Sequence, residues 1–162
     1  MIIYLTLNDG PSGIYTSQVI DVVKCLNKTS PLPIKLVALI SFRSFFSNKH
    51  QIKEQLPEAV ILPMIPGFSN WKLNRFLLYF ICKIYKPKAI IARSVLATYI
   101  ALQAKKRKLL PLVCYDGRGA IVAEWNDYEV GNNDKIKNEI ESIERIVVNE
   151  SDHSIAVSDQ PV

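Results

Sequence analysis

A chain of 162 residues, 49% hydrophobic and 22% charged, has the composition of one ordinary globular domain; at that length roughly 68–70% of the unfolded surface is buried without disulfide or metal staples. Lys and Arg exceed Asp and Glu by 20 − 15 = 5, which favours contact with phosphates or acidic lipid surfaces and is too mild to mark a nucleic-acid binder. Cys25, Cys82 and Cys114 stand far apart in apolar runs with no CxxC, so they read as reduced core residues of a soluble, cytoplasmic protein, and a disulfide framework is excluded.

The chain opens on an apolar run from Ile2 to Leu7, predicted as the first strand, which has neither the basic flank of a signal peptide nor the length to span a bilayer. The turn Asn8-Asp9-Gly10-Pro11-Ser12-Gly13 leads into a helix from Ile14 to Leu26. Further strands are predicted near Ile34 to Ile40, Ala59 to Leu62, Ala89 to Ala92, Leu112 to Tyr115 and Ser154 to Val157. Between them fall helices near Arg43 to Gln55, Trp71 to Tyr85, Val95 to Arg107 and Asp134 to Val148, the last with Ile136, Ile140, Ile143 and Val147 on one face. Such alternation is that of βαβ units, so the fold class is α/β: a Rossmann-like, three-layer domain over residues 1–162 with a mainly parallel, doubly wound sheet. Asn126 to Asn133 reads as a polar surface loop. The chain stops at Gln160-Pro161-Val162 with no closing helix after the sixth strand, and it reads as cut short.

Ligands of open α/β sheets bind beyond the carboxyl ends of the strands, where strand order reverses. With the order 3-2-1-4-5-6, the ends of strands one, four and five converge there. The first strand runs into Gly10, Ser12 and Gly13, whose glycines let a ligand phosphate or sugar hydroxyl approach the N-terminus of the next helix. The fourth ends in Arg93 and Ser94, and the fifth in Asp116 and Arg118, with Glu124 close behind. Each also has a structural reading: a tight turn for the glycines, a solvated arginine and a helix cap for Arg93 and Ser94, and a turn-stabilising ion pair for Asp116 with Arg118.

Several chemistries fail on their residues. The first loop lacks G-x-G-x-x-G and the second strand ends in Ser41-Phe42-Arg43 without an acidic residue, so a dinucleotide site survives only if Arg43 accepts a 2′-phosphate. No G-x-x-x-x-G-K-[ST] and no G-x-S-x-G occurs. His50 sits in a polar stretch and His153 precedes the sixth strand, at the wrong end of the sheet, so both read as surface residues and no metal set is formed.

On the segments Gly10-Pro11-Ser12-Gly13-Ile14-Tyr15, Ile90-Ile91-Ala92-Arg93-Ser94, Tyr115-Asp116-Gly117-Arg118-Gly119 with Glu124, and Asp152-His153-Ser154-Ile155-Ala156-Val157-Ser158, the chain resembles the N-terminal domain of the GT-B glycosyltransferases, in the large retaining family that includes bacterial capsule and lipopolysaccharide sugar transferases. The resemblance implies an acceptor-side domain, with the first loop facing the donor phosphates across a cleft and a second domain, absent from this chain, gripping the sugar nucleotide. It implies transfer from a nucleotide diphosphate sugar to a saccharide or lipid-linked hydroxyl, with retention and with neither cofactor nor metal, and an isolated chain that is inactive. Relatives carry two adjacent glycines in the first loop, where this chain separates them with Pro11 and Ser12. The rival reading is a free-standing α/β ligand-binding or NADP-dependent reductase-like domain.

The helix from Trp71 places Leu73, Phe76, Leu77, Phe80, Ile81 and Ile84 on one face, and Leu78, Tyr79 and Cys82 widen its apolar surface. It reads either as a deeply packed crossover helix or as a surface that meets the inner face of an anionic membrane through Trp71, Lys72, Arg75 and Lys83. Lys105-Lys106-Arg107-Lys108 adds basic charge.

Overall fold

Parallel neighbours in a sheet need a crossover between them, and the right-handed sense of that crossover decides which face each helix covers. In the computed structural model, which describes residues 1–117 and 134–156, six parallel strands follow the order β3-β2-β1-β4-β5-β6. They are β1 (Ile2–Leu7), β2 (Ile34–Ile40), β3 (Val60–Pro63), β4 (Ala89–Arg93), β5 (Leu112–Gly117) and β6 (His153–Ala156). The helices are α1 (Gly13–Tyr15), α2 (Asp21–Thr29), α3 (Phe45–Gln55), α4 (Asn74–Tyr85), α5 (Val95–Lys106) and α6 (Asp134–Glu150). The chain is therefore a doubly wound, Rossmann-like α/β domain, as the alternation of runs predicts. The polar loop Asn126 to Asn133 and the residues after Ala156 lie outside the described residues.

Alternation along β1 divides two cores. Ile3, Leu5 and Leu7 pack on one face with Leu78, Ile81 and Cys82 of α4, Ile100 and Ala104 of α5, and Ile143 and Val147 of α6. Tyr4 points to the other face, into a core built with Val23 of α2, Ile52 of α3 and the inward residues of β2 and β3. That second core contains no residue of β5 or β6, and Leu112 and Ile155 on that side stay exposed among the described residues.

Some boundaries differ from the expectation for physical reasons. The first crossover contains a π-helical turn, Thr16–Ile20, between α1 and α2, closed by the Asp21 amide donating to the Thr16 carbonyl. Short 3-10 turns at Phe42–Ser44 and Phe68–Leu73 precede α3 and α4. Buried Asn74 organises the entry to α4: its Oδ1 accepts from the Ile65 amide and its Nδ2 donates to the Trp71 carbonyl, both at 2.8 Å. Lys86 ends α4 in the left-handed region at φ 46°, with Pro87 barring continuation. Cys25 is exposed, against its reading as a core residue, while Cys82 is buried and its thiol is pushed up to about 11 by burial.

The sheet edge is held by Asp152. Its Oδ2 accepts from the Val113 amide at 2.8 Å and its Oδ1 meets Lys105 Nζ at 2.5 Å, tying the end of α5 to the starts of β5 and β6. The Lys105 ammonium first, then the Val113 amide, lower the Asp152 carboxyl below its ordinary value. A lowered carboxyl contributes stability that is complete above the ordinary aspartate value and lost as pH falls through the lowered one. Asp152→Asn keeps the backbone acceptor and loses the charge, a loss discounted by partial exposure to about 1 kcal/mol, so Tm at neutral pH should fall by roughly 2–4 °C. Thermal melts should show this gap closing as pH drops below about 4; a gap independent of pH would remove the electrostatic account.

Candidate functional site

Strand order reverses between β1 and β4, so the chain leaving β1 turns to one face and the chain leaving β4 turns to the other. Both exits carry a positive φ. Asn8 follows β1 at φ 57° and Ser94 follows β4 at φ 81°, neither of them a glycine. Left-handed backbone at non-glycine residues costs of order 1–3 kcal/mol and persists where surrounding contacts determine it. Those contacts are present: the Asn8 amide donates to the Leu39 carbonyl at 2.8 Å, and the Ser94 amide donates to the Asp116 carbonyl at 3.1 Å. Thr98 Oγ1 adds bonds to the Ala92 and Ser94 carbonyls.

Arg93, the last residue of β4, reaches across to the β1 exit. Its Nε donates to Asp9 Oδ2 at 3.1 Å, and its terminal nitrogens donate to Gln18 Oε1 at 2.7 Å and to the Gln18 carbonyl at 3.5 Å. With its side chain only 11% exposed, this is not the solvated arginine of the structural reading. The guanidinium fork suits two partners set side by side, and the π-helical turn carries Gln18, supplying both oxygens from one residue.

Asp116 is 2% exposed and accepts a 2.5 Å hydrogen bond from the Tyr4 hydroxyl, which spans β4 from β1 to β5. Tyr15 Oη lies 3.4 Å from Thr6 Oγ1. Burial chiefly pushes the Tyr15 phenol up to about 12, with Asp9 raising it further against the opposing Thr6 hydrogen bond and Arg93 charge. It therefore stays neutral at physiological pH. Burial, then the Asp116 carboxylate, likewise raises the Cys114 thiol, which keeps it protonated and a poor nucleophile.

The turn of the glycine loop is not set by its glycines. Neither Gly10 nor Gly13 takes a positive φ; Asn8 does. A methyl group at Gly13 would meet nothing within 4 Å, so the space above the helix N-terminus is open there. At Gly10 it would touch Asn48 of α3 at an ordinary 3.5 Å. Ser12 caps the helix, its Oγ accepting from the Tyr15 amide at 3.0 Å. Ser94 holds the cap position of α5 and its side chain makes no capping bond. Gly117 is the glycine that space demands, because an added Cβ would lie 2.9 Å from the Tyr115 ring.

The structure thus brings together Arg93, Ser94, Asp116 and the Gly10–Gly13 loop at the carboxyl ends of β1, β4 and β5. Arg118 and Glu124 lie outside the described residues. Arg43 stands exposed in the 3-10 turn after β2. His153 opens β6 at its amino end and His50 pairs with Glu54 on the surface, as expected of surface histidines. Sequence reasoning missed Asp9, Gln18, Tyr4 and Tyr15 as members of the cluster. Tyr4 and Thr6, two residues apart in an otherwise aliphatic strand, were the available signal. Exposed Phe42 and Phe46 also went unremarked beside the β2 exit. Two surface hollows lie elsewhere, about 390 Å³ along α6 at Glu141 and Arg145 and about 360 Å³ at the amino ends of β1 and β2 near Lys24 and Pro33. Neither is lined by any member of the strand-end cluster.

No family model and no curated protein matches this chain. Among solved structures it is similar to a protein of Listeria monocytogenes assigned as a UDP-N-acetylglucosamine 2-epimerase, with a TM-score of 0.65 and 10% identity over 98% of this chain. The chain spans 39% of that protein's length. The neighbour has a GT-B-like fold, and the likeness makes this chain a GT-B-like, Rossmann-type domain.

Proposed function

We propose that this chain is the acceptor-side half of a GT-B-type enzyme that moves a glycosyl unit from a nucleotide diphosphate sugar to a saccharide or lipid-linked hydroxyl. The observation that carries the reading is the pairing of Arg93 with Asp9 and Gln18 at the strand-order reversal. It makes the cleft wall polar and locally charge-balanced, rich in the fixed donors and acceptors that recognise hydroxyl groups and poor in uncommitted positive charge. Such a wall suits a polyol acceptor better than the grip on a departing diphosphate, whose developing charge needs converging amides and cations. Those donors belong to a second domain, and the open space at Gly13 leaves room for the donor phosphates above the helix N-terminus. The share of the neighbour's length that this chain covers fits a division into two domains.

The neighbour's assignment favours a second reading, in which the same cleft serves epimerisation of a nucleotide sugar rather than transfer. The two separate on products: transfer consumes an acceptor hydroxyl and frees the nucleotide, whereas epimerisation requires no acceptor.

In either case the chain alone should not turn over. Incubated with a panel of nucleotide sugars, it should release no nucleotide above buffer, and steady release would overturn the division of labour. In a protein that carries both domains, Arg93→Ala should lower kcat/KM by on the order of tenfold to hundredfold, the worth of a charge-assisted hydrogen bond of roughly 1.5–3 kcal/mol. Arg93→Lys should recover little, since an ammonium cannot bridge Asp9 and Gln18 as the planar fork does. A lowered Tm with unchanged kcat/KM would reduce Arg93 to a stabilising residue.

A further inference from the structure

Helix α4 has two apolar faces. Leu78, Ile81 and Cys82 are buried against the sheet, and Trp71 before them is also buried, edge-to-face with Tyr99 at 5.6 Å. Trp71 is thus unavailable to a membrane, and Lys72 is committed to Glu139 at 2.5 Å, which corrects two of the four residues expected to make that contact. The opposite face remains in solvent: Leu73 is 39% exposed, Phe76 51%, Phe80 62% and Ile84 55%. Spaced three, four and four apart, they form one stripe on the order of 16 Å long. Two phenylalanines with two aliphatic neighbours in line are more than the single apolar residues that protein surfaces scatter.

The charge around the stripe points to what covers it. From Ala59 to Tyr115 the chain carries Lys or Arg at ten positions and Asp or Glu at none. Arg75 lies over the Phe76 ring at 5.0 Å, and Arg107 at the end of α5 lies over Tyr79 at 5.4 Å. Lys83 and Lys86 are exposed at the far end of α4. Cationic heads raised beside an aromatic and aliphatic stripe match a bilayer boundary, with rings and aliphatic chains at the acyl edge and cations at the phosphates. Among the described residues no helix is long and apolar enough to cross a membrane.

We propose that α4 docks this domain on an anionic lipid bilayer, with Leu73, Phe76, Phe80 and Ile84 inserted at the headgroup boundary and Arg75, Lys83, Lys86 and Arg107 against anionic headgroups. The contact needs no sugar nucleotide and stands or falls apart from the sugar-nucleotide reading.

The test is co-sedimentation of the 162-residue chain with vesicles of phosphatidylcholine alone or mixed with phosphatidylglycerol. Binding should appear with the anionic vesicles and weaken as salt screens the cations. Arg75→Gln with Lys83→Gln should weaken it by roughly 25-fold, about fivefold per cation near such a surface. Phe80→Ser should cost on the order of tenfold. All three side chains stand at least partly clear of the core, so the variants should melt as the parent does, and a binding loss matched by a fall in Tm would be loss of fold and would overturn the assignment. Equal binding to both vesicle types, no binding to either, or unchanged binding of Phe80→Ser would also overturn it. Sedimentation velocity without lipid settles the competing occupant: a dimer that dissociates on Phe80→Ser would assign the stripe to a second copy and defeat the bilayer proposal.

Discussion

The reversal of strand order between β1 and β4 is the constraint on which the site depends. Right-handed crossovers send the chain leaving β1 to one face and the chain leaving β4 to the other. Adjacent strand ends are thereby left with diverging loops and a gap between them. Left-handed backbone at Asn8 and Ser94 marks both lips of that gap, and Arg93 bridges it to Asp9 and Gln18. The Tyr4 to Asp116 bond lies deeper and joins β1 to β5 beneath the bridge. Polar groups accumulate at this end because the loops there cannot satisfy one another by regular pairing, whereas at the amino ends Asn27 closes the turn by bonding both backbone groups of Ile34.

The fold was legible because its signals are periodic. Isoleucine and valine in short runs, interrupted by helices with Ile140, Ile143 and Val147 on one face, allow few arrangements other than a doubly wound sheet. Site geometry was legible only to the level of strand ends. Arg93 and Asp116 were found because a charged residue at the end of an aliphatic run is conspicuous in sequence. Their partners were not, since Tyr4 and Gln18 belong to elements distant in sequence and only the β1–β4–β5 register brings them together. The turn after β1 takes its positive φ at Asn8, a residue type that tolerates it through local hydrogen bonding, whereas the sequence offered Gly10 and Gly13 for a tight turn.

Helix α4 shows where helical periodicity runs out. Its sequence is apolar nearly all round, so the moment cannot say which side meets the sheet. The structure keeps Leu73, Phe76, Phe80 and Ile84 of the grouped residues on the outward side and turns Ile81 inward with Leu78 and Cys82. The outward stripe on α4 and the strand-end cluster share one domain with no polar contact between them among the described residues.

We propose that the carboxyl ends of β1 and β4 form the cleft wall of a nucleotide-sugar enzyme. This is tested most directly by recording amide shifts of the isotope-labelled chain while a saccharide and, separately, a nucleotide diphosphate sugar are added to millimolar concentration, where a half-site with a Kd near 1 mM begins to fill. Shifts in fast exchange, confined to the turn from Asn8 to Gly13 and to Arg93 and Ser94, are the expected result. Shifts centred on the amino ends of the strands or along α6, or none at the strand-end cluster, would contradict it.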